Sequence, residues 1–140
     1  NAFHEGERLK MSLDKQEIEK AVYAEKNTDG FAQLMQEFKQ LGIKRYDYLV
    51  AEGLYRYFDE ESSIDLTLNG RPKKVAEQSG YEAIQTAVKR AQSGEFDFET
   101  FCELAGKAGV SFWTSDLVSK QVVYYDLNKK PLLVEPIPGL

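Results

Sequence analysis

Histidine and cysteine are nearly missing from this 140-residue chain, which has one of each, His4 and Cys102. A single thiol closes no internal disulfide and builds no cysteine zinc cluster. One histidine in an unpatterned segment neither completes a standard zinc or iron site nor serves as the base of a serine or cysteine triad. No metal and no cofactor is therefore expected. Apolar runs are short: none nears the roughly 18 residues of a membrane span, and Asn1 to Lys10 lack the apolar stretch of a secretory signal. The expected setting is the cytoplasm, with no membrane attachment. Neither GxxxxGK[ST] nor GxGxxG occurs, and Gly106-Lys107-Ala108-Gly109 is a helix end without the spacing of a phosphate loop. Basic residues do not cluster beyond pairs such as Lys44-Arg45, Lys73-Lys74, Lys89-Arg90 and Lys129-Lys130, which argues against nucleic acid as a partner.

What is present is the composition of an ordinary globular protein, 42% hydrophobic and 29% charged with a net charge of -5. The first half supplies the whole acidic excess, since residues 1–70 hold 9 Lys+Arg against 14 Asp+Glu and residues 71–140 hold equal numbers. A chain of this length buries roughly 68–70% of its unfolded surface, enough for one core without staples. A single α+β domain is expected over residues 12–140, behind an unpatterned segment 1–11.

Hydrophobic spacing sets out the elements. Ser12 can cap a helix running to about Lys26, with Ile18, Ala21 and Val22 on one face, and Asn27-Thr28-Asp29-Gly30 breaks it. Phe31, Leu34, Met35, Phe38 and Leu41 recur at helical spacing and lead to Gly42, a residue suited to a left-handed C-cap. Lys44 to Val50 and Leu54 to Phe58, joined by Ala51-Glu52-Gly53, read as a β-hairpin, and Ile64 to Leu68 as a third strand. The order then recurs. Tyr81 to Ser93 is a helix, Asp97 caps another that Gly109 stops, and Val110 to Val118, Gln121 to Asp126 and Leu132 to Glu135 are strands.

The plan is thus ααβββ twice, over residues 13–73 and 80–140. An offset of 67 places Phe31 on Phe98, Gly42 on Gly109, Tyr46 on Trp113, Tyr57 on Tyr124 and Asp59 on Asp126, with six identities among 61 pairs. Roughly 3–4 identities would arise by chance, so duplication and two similar units without common descent both fit. Either gives an antiparallel sheet packed on one side by helices.

Strand alternation assigns the faces. Tyr46, Tyr48, Val50, Tyr55 and Tyr57 are expected toward the helices, with Trp113, Leu117, Val122 and Tyr124. The other face takes Arg45, Asp47, Leu49, Leu54, Arg56, Phe58, Phe112, Thr114, Asp116, Val123 and Tyr125. Its mixture of charge and apolar surface makes Arg45, Asp47, Arg56, Phe58 and Asp116 the candidate binding residues of a non-enzymatic module, facing a protein partner or a second copy. No catalytic set is apparent. The alternative is a small hydrolase or isomerase using the strand carboxylates Asp47 and Asp116. Asp59 to Asp65 gathers oxygen ligands but lacks the glycine and terminal glutamate of an EF-hand loop, and reads as a solvated acidic loop. Cys102 lies on an apolar helix stripe and reads as core.

Several stretches together resemble a known family: Asp97-Phe98-Glu99-Thr100-Phe101-Cys102, Ala108-Gly109-Val110, Trp113, Tyr124-Tyr125-Asp126, Val134-Glu135-Pro136-Ile137-Pro138, and Leu41-Gly42-Ile43 followed by Arg45-Tyr46-Asp47. The likeness covers most of residues 14–138 and is to the YdfO/YbcV family of small, functionally uncharacterised bacterial and prophage proteins. It implies a bacterial cytoplasmic α+β protein with a link to mobile elements, and carries over no catalytic residue.

Overall fold

A computed structural model describes residues 13–24 and 30–137. Residues 1–11, Ser12, Asn27 to Asp29 and Pro138 lie outside the described residues. The elements run α1 (Lys15–Ala24), α2 (Gly30–Gln40), β1 (Arg45–Leu49), β2 (Leu54–Phe58), β3 (Ser63–Leu66), α3 (Tyr81–Gln92), α4 (Phe98–Lys107), β4 (Phe112–Asp116), β5 (Gln121–Tyr125) and β6 (Pro131–Pro136). Helices and strands share one core, in an α+β arrangement.

Local chemistry accounts for most boundaries. The first helix takes its cap from Asp14, whose carboxylate accepts from the Gln16 and Glu17 amides at 2.9 and 3.3 Å. Gly30, expected in the break, already belongs to α2. Of the stripe expected on α2, Leu34, Met35 and Phe38 are buried, while the side chain of Phe31 lies outside what is described. Gly42 and Gly109 end α2 and α4 with φ of 89° and 85°, the left-handed geometry that costs other residues about 1–2 kcal/mol. The Asp97 carboxylate accepts from the Thr100 amide at 2.9 Å and caps α4 as its position implies.

The six strands form one antiparallel sheet in the order β3-β2-β1-β4-β5-β6. Its centre is the pairing of β1 with β4, in which Asp47 faces Thr114, two residues 67 positions apart. A twofold axis between antiparallel strands brings only the residue on the axis opposite its own image, so the one pair separated by the sequence offset, Asp47 and Thr114, marks where that axis passes. The backbone repeats it. Leu117 donates to the Lys44 carbonyl and Val50 to the Ser111 carbonyl, both at 2.9 Å, and each bond is the image of the other. The outer strands depart from this symmetry: Tyr55 faces Leu66, whereas its image Val122 faces Glu135 instead of Leu133. That slip of two residues, with an irregularity at Tyr124/Tyr125, preserves the faces because side chains alternate with period two.

The core is aromatic. Phe38 meets Tyr46 and Tyr57 edge-on at 5.7 and 5.3 Å between ring centroids, and Phe98 and Phe101 meet Tyr48 and Trp113 at 5.2 and 5.4 Å. Tyr48 stacks on Trp113 at 4.7 Å. Burying each such ring contributes roughly 1.5–3 kcal/mol. One group gains nothing from its place: the Tyr48 hydroxyl is fully buried without a hydrogen-bond partner, the Cys102 thiol and Arg71 backbone lying beside it outside good geometry. Tyr48→Phe is therefore expected to hold or raise stability, by up to about 1 kcal/mol, because it deletes an unmet polar group and no contact. Urea denaturation of the two proteins checks this, and a loss of similar size would reveal a partner for the hydroxyl.

Candidate interaction surface

Alternation turns the tyrosine side of the sheet to the helices and leaves the other side as a continuous, half-buried face of side chains. Every expected site residue lies on it. Arg45 and Asp47 come from β1, Arg56 and Phe58 from β2, and Asp116 from β4. Cross-strand register arranges the face in three rows. The first is Ser63, Phe58, Arg45, Asp116, Gln121 and Pro136. The second is Asp65, Arg56, Asp47, Thr114, Val123 and Val134. The third is Leu54, Leu49, Phe112 and Tyr125.

The rows differ in chemistry. In the second, Arg56 grips Asp65 with two bonds of 2.8 and 3.1 Å, and this pairing raises the guanidinium's affinity for its proton and lowers the carboxyl's. Both partners are about two-fifths exposed, so water limits the pair to roughly 0–1 kcal/mol. Asp47 accepts from the Thr114 hydroxyl at 2.8 Å across the centre of the sheet. In the first row Arg45 lays its guanidinium over the Phe58 ring, 4.0 Å from the centroid, with Nε 3.8 Å from Asp47. The third row carries no charge; Phe112 and Tyr125 stack at 4.7 Å, and with Val123 and the half-exposed Val134 it makes an L-shaped, largely apolar border around the ionic corner.

A hollow of about 510 Å³ opens at the end of the first row, lined by Lys44, Arg45, Phe58, Glu60, Asp116 and Val118 among others. Its rim is held by its own turn. Burial tends to raise the Asp59 carboxyl, but bonds from the Glu61 amide, the Ser62 amide and the Ser62 hydroxyl outweigh this and hold it below the usual range. Arg45, Phe58 and Asp116 line the hollow, whereas Asp47 and Arg56 do not.

Asp47 and Asp116, the expected carboxylate pair, stand on neighbouring strands but two residues out of register, with Thr114 opposite Asp47 and Arg45 opposite Asp116. Such diagonal neighbours are about 7–8 Å apart. Each already has structural partners, Asp116 accepting from the Val118 and Ser119 amides at 2.9 Å to fix the β4–β5 turn. Among the described residues, no three His, Cys, Asp or Glu side chains gather as metal ligands, and no helix is long and apolar enough to cross a membrane.

Sequence reasoning missed Val134 as part of this face, and Lys44, Glu60 and Val118 as walls of the hollow. Val134 was within reach, since alternation from Leu133 places it outward. Lys44 and Glu60 already meet across the first hairpin, but Val118 joins them only through the long-range pairing of β1 with β4. A family model described as Protein of unknown function (DUF1398) matches residues 19–136. Among curated proteins none matches the chain.

Proposed function

The chain belongs to the DUF1398 family of proteins of unknown function, and from that premise we propose a non-enzymatic interaction module that offers its open sheet face to a protein of a different kind. The likeness to YdfO/YbcV proteins extends this reading to a bacterial, prophage-associated protein working in the cytoplasm. The supporting observation is the division of the face, with charge over β2 and β3 and apolar surface over β5 and β6. In an aligned packing of two copies, a twofold axis along the strands lays the charged half on the apolar half. An axis across the strands sets Arg56 against Arg56 and Asp47 against Asp47. A different chain can instead bring its own apolar ridge to Leu49, Phe112 and Tyr125, and its own charges to Arg56 and Asp65.

Native mass spectrometry of the untagged protein from a bacterial host tests this together with two variants on the face. A complex with another protein is expected, and both Arg56→Glu and Val134→Asp should weaken it at least tenfold, about the cost of losing an interface anchor, with both variants still folded and Arg56→Glu less stable by about 1 kcal/mol for its lost ion pair. A partner held equally well by both variants would remove the face from consideration. A homodimer lost in both would transfer the face to a second copy.

A further inference from the structure

The chain between the two halves runs without helix or strand from Arg71 to Ser79, bends at Glu77 and Gln78, and lies like a strap between the end of β1 and α4. Three backbone bonds hold it: Lys73 to the Val50 carbonyl at 3.1 Å, and Ala76 to Gly106 and Gly80 to Ala108, both at 2.9 Å. Lys73 adds an ion pair to Glu99 at 3.0 Å. None of the strap's side chains is buried, and only Lys73, Val75 and Ala76 reach partial burial. Beneath it are some of the most deeply buried groups of the molecule, Tyr48 and Val50 at 0% exposure and Cys102 at 1%. The strap backbone passes so close to α4 that a Cβ on Gly106 would stand 2.3 Å from the Lys74 carbonyl oxygen.

We propose that this strap is a gate over Cys102, opening without global unfolding and admitting a low-molecular-weight disulfide to the thiol. Segments with few buried contacts open at lower cost than the core they cover. The Tyr48 hydroxyl favours the opening, because it has no partner in the closed state and gains one from water or ligand when the strap lifts. The closed thiol is inert: burial is the largest influence on it and pushes its pKa up to about 12, against smaller opposing effects of Tyr48 and Lys73. In the open state it sheds its proton to solvent and the thiolate attacks one sulfur of the disulfide. A bond forms between Cys102 and that sulfur as the reagent's own S–S bond breaks, and the other half departs as a thiolate.

Labelling of the native protein by an aromatic disulfide, followed by release of the coloured thiolate, tests the gate. Cys102 should react much faster than the unfolded fraction measured by urea denaturation allows. Tyr48→Phe, which relieves the closed state, should slow labelling by up to about fivefold. Gly106→Ala, which crowds the strap, should speed it about tenfold, although alanine is the better helix former. Labelling that tracks the unfolded fraction in the wild-type protein and both variants would overturn the proposal. Wild-type reactivity alone decides the matter should Gly106→Ala fail to fold.

Discussion

Taken from pH 8 toward pH 12, the protein is expected to unfold in one cooperative step. Burial, the largest influence on each, raises the phenols of Tyr48, Tyr55, Tyr57 and Tyr124 well above their ordinary value of 10.0, and neighbouring groups raise them further. Burial also lifts Cys102 from 9.0 to about 12. Each group holds its proton more tightly folded than unfolded. Below pH 9 both states are protonated and nothing is lost. Above pH 9 for the thiol and pH 10 for the phenols, the unfolded chain releases protons that the folded one keeps. Stability then falls by about 1.4 kcal/mol per pH unit for each group until its folded value is reached. Five such groups acting together exhaust the roughly 5–15 kcal/mol of a typical domain within a unit or two. The tyrosinate absorbance and the fluorescence of Trp113 should therefore change in the same narrow interval. A gradual absorbance rise with unaltered fluorescence would mean that the phenols reach water in the folded state. Tyr57→Phe should move the transition to higher pH, provided its lost hydroxyl costs little at neutral pH.

The second large effect uses the internal repeat as its own control. Gly42 and Gly109 are images of each other with nearly equal φ, and alanine in that conformation costs about 1–2 kcal/mol in either place. Their surroundings differ. A Cβ on Gly42 meets nothing within 4 Å, whereas one on Gly109 would stand 2.5 Å from the Gln78 carbonyl oxygen and from the Ser79 Cα. Gly42→Ala should therefore lose only the conformational cost, and Gly109→Ala about 1–3 kcal/mol more as the strap is pushed aside. Denaturation midpoints of the two variants give the difference directly, and equal losses would show that the strap does not press on α4.

Period-two alternation was the most legible part of the fold. It assigned the five tyrosine-side residues of the first hairpin and the four of the second to the core, and all nine are buried. Helix ends were legible where one residue type carries the geometry, as at Asp97, Gly42 and Gly109. At the first helix Asp14 takes the bond from the Gln16 amide, while Ser12, which offers the same chemistry two residues earlier, lies outside the described residues. The five candidate site residues do share a face, but no local signal says that β1 pairs with β4, and without that pairing the apolar border and the hollow have no shape. The strap was illegible for a related reason. Arg71-Pro72-Lys73-Lys74 carries no apolar period, and what orders it are backbone bonds to Val50 and Gly106, of which the glycine at 106 is the one trace in residue type.

The central pair of the sheet also bears on why two such halves belong in one polypeptide. Were either ααβββ unit to assemble with an identical copy about that axis, the residue at its middle would face itself, and Asp47 would oppose Asp47 at the closest point between the strands. Joined in one chain, the two positions diverge, and a hydroxyl from Thr114 meets the carboxylate instead. The same freedom lets Tyr48 and its image Ser115, both buried, differ severalfold in bulk. Covalent linkage thus releases the axis from the rule of identity, and allows a nearly symmetric scaffold to carry a face whose two sides are chemically unlike.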